Sequence, residues 1–408
     1  MKTHYLLIGG GLASSQAVKT IRRKDTESPI VLVSSEAFPP YDRPPLSKEF
    51  LRGEKTVEEI TYDNADTLDG LNVKRKLGAT VVRLDLSAKT AILEDGATIG
   101  FEKALIATGG RPIRLSLPGA DLPEVFYLRN LDDAAAIASK AKPGRRAVLI
   151  GAGFIGLEVA ASLTRMGVQV TVVEAADHIW ARFADATLAG YFQQYCTEKG
   201  VIFLTRETVA EIRGNGHLTG VTTKSGAKID CDLVCIGVGI RPNIEIAQAS
   251  GLEVNNGIVV DEYLCTSHPD VYAAGDVINF YDPIFEKRRR VEHWGHAEYG
   301  GQIAGMNMTG DRQTYNMLSY VWSDIFDLHL EFAGDESEHD RTLVRGNMAD
   351  RSFIVLFLKN HRLAAYFAVN TNAREFRTYQ RMIQQKTDLT RKEEALQDTT
   401  VNVRDLLG

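Results

Sequence analysis

Four apolar residues, Tyr5-Leu-Leu-Ile8, run straight into Gly9-Gly-Gly11. Residues 12–23 then place Val18 and Ile21 at helical spacing, and a second apolar run follows at 30–33, just before Glu36. Strand, tight turn, helix and strand in that order predict a β-α-β unit. The same grammar returns at 147–150, Gly151-Ala-Gly153, 154–166 and 168–173, this time ending at Glu174. Two such units resemble an internal duplication and predict two parallel sheets. Between them, residues 73–109 alternate in the manner of β-structure, with a hairpin signal at Asp95-Gly96. Residues 104–106 form a buried strand running into Ala107-Thr-Gly-Gly110, and Pro112 and Pro118 then mark a linker. That punctuation recurs at 236–242, with Gly237-Val-Gly239 and Arg241-Pro242. The paired exits predict a discontinuous first domain (1–112 and 241–319) with an inserted second domain (113–240). From about residue 320 the texture becomes strands rich in aromatic and aliphatic residues at 352–358 and 363–369, then a charged helix at 372–385. These predict a third domain, 320–408, of the α+β type. The fold class expected is α/β, with two Rossmann-like nucleotide-binding domains and this C-terminal addition.

A glycine turn between strand and helix lets the backbone approach a pyrophosphate, which the helix N-terminus binds through free N–H groups and its positive dipole. An acid at the end of the next strand takes the ribose hydroxyls. The first unit supplies Gly9, Gly11 and Ser14, with Glu36 as the acid; Ser14 stands where a third glycine is usual, a position that tolerates a small residue. The second supplies Gly151, Gly153 and Gly156, with Glu174. A carboxylate at position 174 repels a 2′-phosphate, and no arginine follows until Arg182, so NADH is favoured over NADPH.

A length of 408 residues suits two or three domains, and 44% hydrophobic with 25% charged residues is ordinary for a globular protein. A net charge of -6 argues against a general nucleic-acid binder. Cys196, Cys231, Cys235 and Cys265 are too few and scattered for a disulfide framework, and Cys231-Asp-Leu-Val-Cys235 reads as one apolar strand. With no run long enough to cross a membrane and no export signal, the cytoplasm is the expected compartment.

Further motifs occur in a telling order: Tyr41-Asp-Arg-Pro-Pro-Leu-Ser-Lys48, Ala107-Thr-Gly109, Gly151–Glu158, Tyr272-Ala-Ala-Gly-Asp276, Glu292-His-Trp294 and Trp322-Ser-Asp324. On these the chain resembles the FAD-dependent pyridine nucleotide reductases of the ferredoxin reductase, rubredoxin reductase and apoptosis-inducing factor group. The resemblance covers nearly the whole chain and weakens after about residue 385. It implies FAD in the first domain and NADH in the second. It places Ala13 and Glu36 at the FAD phosphates and ribose, Val81 near the adenine, and Arg43, Ala107, Thr108, Gly109, Arg129, Gly275 and Asp276 along the same cofactor. Ile155 and Gly239 accompany the second glycine turn. Lys48 beside the flavin ring, with Glu158 as its partner, becomes the catalytic pair, while Trp294 and Trp322 are set against the isoalloxazine and Glu292 joins the cofactor-binding residues. Histidines 293, 296, 329 and 361 are read as ordinary polar residues, because hydride transfer to flavin needs no general base.

The related disulfide reductases carry a redox cysteine in or near the segment that holds Lys48. Residues 38–50 contain none, so electrons must leave from the ring itself. The resemblance therefore implies an NADH-dependent reductase that passes single electrons to a small iron–sulfur carrier, ferredoxin or rubredoxin, in the service of an oxygenase. Lys287-Arg-Arg-Arg290 is a candidate basic rim for such a carrier. Two features pull elsewhere: Trp322-Ser-Asp is followed by Ile325 rather than Gln, and Glu292–Ala297 resembles the apoptosis-inducing factor branch. The alternatives are an NADH oxidase or quinone reductase, or an NADH-responsive binding protein; a homodimer is compatible with either.

Overall fold

The computed structural model describes residues 1–181 and 184–407; Arg182 lies outside them. The chain forms two compact units, one of residues 1–42, 61–111 and 241–321, the other of 43–60, 112–240 and 322–408.

In the first unit, Tyr5–Ile8 is flanked on both sides by parallel partners, so all four of its residues are buried and apolar. The sheet order is Val271–Ala273, Lys103–Ile106, Tyr5–Ile8, Ile30–Ser34, Val73–Leu77, parallel throughout. The helix Leu12–Lys24 follows the glycine turn and packs closely against Trp294–Met308. Small residues make that approach possible. A Cβ on Gly301 would strike the carbonyl of Ala13, and one on Gly305 would come within 2.9 Å of the carbonyl of Ala17. The Asp95-Gly96 signal is a hairpin joining Thr90–Leu93 to Thr98–Gly100, with Gly96 at φ +81°.

In the second unit the plan repeats. The sheet order is Ile202–Leu204, Gln169–Val173, Arg146–Ile150, Leu233–Ile236, Val125–Tyr127, again parallel. The same unit holds most of a five-stranded antiparallel sheet ordered Tyr320–Ile325, Leu328–Gly334, Arg362–Val369, Ser352–Lys359, Arg341–Asn347. An aromatic cluster of Phe154, Trp180, Phe192 and Phe367 packs inside this unit, with ring centroids 4.7–6.0 Å apart.

Two expectations need correction. The charged C-terminal helix is Phe376–Gln384, shorter than 372–385, because the Asn372 side chain accepts from Arg374 N and holds a turn instead. Cys231 is not in one strand with Cys235: the short strand Lys228–Asp230 ends before it, and Asp232 turns the chain by accepting from Arg146 N at 2.8 Å. All four cysteines are free thiols, and burial pushes those of Cys196, Cys231 and Cys235 up to about 12.

Candidate functional site

The duplication extends to the contact that makes glycine obligatory. Gly9 sits at φ +119°, and a side chain there would collide with the carbonyl of Ala107 at the end of the neighbouring strand. Gly151, at φ +101°, stands the same way against the carbonyl of Gly237, and Gly156 against that of Gly151. Ahead of Gly11 and Gly153 the space is open, with nothing within 4 Å of a built Cβ. These two glycines are helix N-caps without a side-chain cap, and no acid occupies either first turn. The first intrahelical bonds are Ser15 N→Gly11 O and Leu157 N→Gly153 O, which leaves three amides of each first turn without a helical acceptor. Helices elsewhere in the chain, such as Leu131–Lys140 and Ala186–Glu198, fill that role with Asn130 and Asp185. In addition the Ser14 hydroxyl is buried without a partner. The residues fit two anionic dinucleotides.

The acids are fixed beside these turns. Glu36 follows Ile30–Ser34 and accepts a hydrogen bond from Tyr41 Oη, while its amide donates to Ser34 Oγ at 3.2 Å. Its carbonyl takes Gly78 N at 3.0 Å, the turn that leads to Val81. Glu174 accepts from Ala152 N at 2.7 Å, inside the glycine turn, and from Ala176 N at 2.9 Å.

The remaining first-unit positions take their places as follows. Thr108 and Gly109 are tied to Asn243: Thr108 Oγ1 donates to Asn243 O, Asn243 Nδ2 to Thr108 O, both at 2.8 Å, and Asn243 N to Gly109 O. Gly275, at φ +79°, approaches Ala13 and turns the chain into Asp276. Trp294 donates its indole N–H toward Tyr62 Oη at 2.7 Å and Asp42 Oδ1 at 3.1 Å, which fixes the ring. Glu292 is paired with Arg290. The buried His296 imidazole, stacked on Phe280, is held down to about 4 by burial and stays neutral.

In the second unit, Arg43 Nη1 donates to Arg129 O at 2.6 Å, and Arg129 N to Asp133 Oδ2 at 2.9 Å. Ile155 is exposed at the start of its helix, Gly239 sits at φ +105°, and Trp322 is half-buried on Tyr320–Ile325. The densest chemistry surrounds Lys48 and Glu158, each 5% exposed. Lys48 Nζ lies 3.4 Å from Glu158 Oε1 and 3.7 Å from Asp324 Oδ2. Ser323 Oγ donates to Glu158 Oε1 at 2.6 Å, and Ser47 Oγ donates to Glu158 Oε2. Three donors thus converge on one buried carboxylate, which keeps the pair from being an isolated charge in a low-dielectric site. The sequence paired Lys48 with Glu158, as the structure does, but assigned no place beside that pair to Ser47, Ser323 or Asp324 and read His329 as an ordinary polar residue. Ser47, Ser323 and Asp324 stand inside quoted motifs, yet nothing in their spacing tells which way each side chain points.

The basic run is largely spent within its own hairpin. Arg289 pairs with Asp282 at 3.4 Å and lies over Phe285, Arg290 pairs with Glu292, and their side chains are 20% and 14% exposed. Arg288 donates to the carbonyls of Val260 and Asn279 and is otherwise exposed.

Comparison with known proteins gives consistent results. Residues 3–301 match the pyridine nucleotide-disulphide oxidoreductase family, and residues 320–407 match a reductase C-terminal family. The chain is 36% identical to a rhodocoxin reductase of Rhodococcus erythropolis over 90% of its own length and 86% of the other's. It is 33% identical to a probable ferredoxin reductase of Castellaniella defragrans, covering 98% and 97%. Among solved structures, the reductase of a covalent putidaredoxin reductase–putidaredoxin complex superposes with a TM-score of 0.94 at 29% identity, over 99% and 98% of the two chains. A ferredoxin reductase of Rhodopseudomonas palustris gives 0.93 at 31%, over 99% and 100%.

Proposed function

The chain belongs to the pyridine nucleotide-disulphide oxidoreductase family, and from that premise we propose that it is an FAD-dependent NADH:ferredoxin (or rubredoxin) oxidoreductase serving an oxygenase. The observation that carries this reading is the buried Lys48–Glu158 pair in a segment that holds no thiol. Flavin accepts a hydride and releases its electrons one at a time. Around it, the first glycine turn with Glu36, Ala13, Val81, Thr108, Gly109, Arg129 and Asp276 holds FAD, and the second turn with Ile155, Gly239 and Glu174 holds NADH. Lys48 keeps a fixed cation where negative charge develops during reduction, and Glu158 holds that cation in place. Trp294 and Trp322 supply aromatic bulk that excludes water. We keep domain limits of 1–112 with 241–319, 113–240 and 320–408; the separate match of residues 320–407 supports the last of these limits. The free cysteines fit a reducing compartment, the cytoplasm.

Relatives named for ferredoxin and rhodocoxin, and a solved complex with putidaredoxin, support a small iron–sulfur protein as the acceptor. Anaerobic stopped-flow reduction by NADH, followed by mixing with a ferredoxin or rubredoxin, tests the assignment. Reoxidation by the carrier should outrun that by oxygen or quinone. If oxygen or quinone is faster than every carrier, the oxidase or quinone-reductase reading replaces it. A long-lived reduced form that changes association state points instead to an NADH-responsive binding protein.

A further inference from the structure

The hairpin formed by Tyr320–Ile325 and Leu328–Gly334 sets two polar residues face to face that neither glycine turn uses. His329 Nδ1 lies 2.7 Å from Asp324 Oδ1. The other oxygen of that carboxylate, Oδ2, faces Lys48 Nζ at 3.7 Å, and Lys48 Nζ is 3.4 Å from Glu158 Oε1. Four ionisable groups therefore form one line from solvent to the interior. The side chains of His329 and Asp324 are 55% and 40% exposed, whereas those of Lys48 and Glu158 are each 6% exposed.

We propose that Asp324 and His329 are positioning residues for Lys48, and that the charge on His329 sets how strongly Asp324 draws the ammonium away from Glu158. The inference rests on the reading of Lys48 as the cation that serves the flavin.

Lys48 stands between two carboxylates that compete for it. Glu158 is saturated by Ser47 and Ser323 and cannot move toward the ammonium without losing them. Asp324 has one variable partner, the imidazole. With His329 protonated, the Asp324–His329 pair is close to neutral and Lys48 stays with Glu158. With His329 neutral, Asp324 carries an uncompensated charge within 4 Å of Lys48, where Coulomb attraction in a poorly solvated site is strong.

Other charged groups lie on the elements packed against this point, among them Arg165, which donates to the Phe326 carbonyl at the turn of the hairpin. From segment 43–60 come Lys48 and Arg52, the latter paired with Glu54; from the helix Phe154–Arg165 comes Glu158. Glu331, on the same strand as His329, is pushed up by burial and accepts from Tyr366 on the neighbouring strand. His329 is the member of this set whose ordinary titration falls nearest neutrality. The hydrogen bond to Asp324 raises its pKa further, outweighing burial. Burial pushes Asp324 up, but the His329 hydrogen bond and the Lys48 charge together hold it below the usual carboxylate range, so it is the imidazole that changes charge.

The sign follows. As pH rises through the raised pKa, His329 loses its charge, Asp324 pulls Lys48 outward, and positive potential at the hydride-accepting position falls.

The test uses the FAD-loaded enzyme. In anaerobic stopped-flow reduction by NADH, the wild-type rate should fall about threefold as pH rises through the His329 transition. His329→Gln, always neutral, should be slow at every pH; His329→Lys, always charged, should stay fast at every pH. A merely structural role would depress both variants alike. A second readout is independent of activity: the His329 imidazole, followed by nitrogen-15 NMR, should titrate lower in Asp324→Asn and higher in Lys48→Met. Identical pH profiles in the two histidine variants, or a His329 titration untouched by Lys48→Met, overturn the coupling. If Lys48→Met itself is reduced at the wild-type rate, the underlying reading of Lys48 falls, and the coupling with it.

Discussion

At the scale of single residues, Glu174 shows how one carboxylate does two jobs. Its oxygens hold Ala152 N inside the glycine turn and Ala176 N beyond it, so the negative charge is fixed beside that turn, where on the proposed reading the ribose 2′ substituent of the nicotinamide cofactor would lie. Glu174→Gln keeps an acceptor for the turn but removes the charge that repels a 2′-phosphate; Glu174→Ala removes both. We expect the Gln variant to narrow the NADH preference mainly by improving NADPH. The Ala variant should also raise KM for NADH about tenfold, roughly the worth of one charge-assisted hydrogen bond. Steady-state kcat/KM with both cofactors decides it, and equal preference in wild type and Gln would discard the charge argument. Lys48 and Glu158 obey a different energetics. Both are buried, so removing Lys48 leaves the Glu158 carboxylate with only the Ser47 and Ser323 hydroxyls, at a cost of up to about 3–5 kcal/mol. Lys48→Met, which keeps the stem volume, should retain FAD yet slow flavin reduction at least about tenfold in stopped flow. A variant that binds FAD and reduces normally takes Lys48 out of the mechanism.

At the scale of elements, the hairpin that carries Trp322, Ser323, Asp324 and His329 is anchored at its turn. Phe326, at φ +54°, and Asp327 are clasped by Tyr195 and Lys199 at the end of Ala186–Glu198 and by Arg165: Lys199 reaches Asp327 at 2.7 Å, and Arg165 donates to the Phe326 carbonyl at 2.5 Å. The Lys199 and Tyr195 hydrogen bonds pull the Asp327 carboxyl down to about 2. A depressed carboxyl stabilises the fold above its unfolded value and loses that contribution as pH falls through its folded value. Asp327→Asn should therefore cost about 0.5–1 kcal/mol at neutral pH, discounted because Asp327 is half exposed, with the difference closing from about pH 4 to about pH 2. Urea unfolding at several pH values checks this; a pH-independent difference would rule out the ionised clasp. What could be read beforehand at this scale was whatever is local. Both β-α-β units were legible because apolar run, glycine and acid follow each other within about thirty residues and each has a steric reason. The clasp was not, since Arg165, Tyr195 and Phe326 are far apart in the chain and surface cations carry no periodic signal. Nor was the company of Glu158: Ser47 and Ser323 come from opposite ends of the sequence, and a serine announces no partner.

At the scale of the molecule, the question is how an acidic carrier meets a reductase whose own net charge is -6. Overall repulsion must be overcome locally, and the run 287–290 was the evident source of positive potential. The structure divides that run by chemistry. Arg289 and Arg290 are each neutralised by a carboxylate, Asp282 and Glu292. Arg288 instead donates from Nη1 to two backbone carbonyls, which do not cancel its charge, and it stands exposed opposite the exposed Tyr281 on the paired strand. Long-range steering responds to net local charge, not to the number of basic residues. Arg288→Gln should therefore lower kcat/KM for an acidic ferredoxin about threefold at low salt and hardly at all near about 0.5 M, where the Debye length has shrunk to a few ångströms. Arg289→Gln and Arg290→Gln should each remove one cation already neutralised by its carboxylate and not weaken the approach of the carrier in this salt-dependent way. The wild-type rate with the ferredoxin should fall as salt rises. If it climbs instead, net repulsion governs the encounter, and the carrier docks on a surface to which this hairpin contributes no steering.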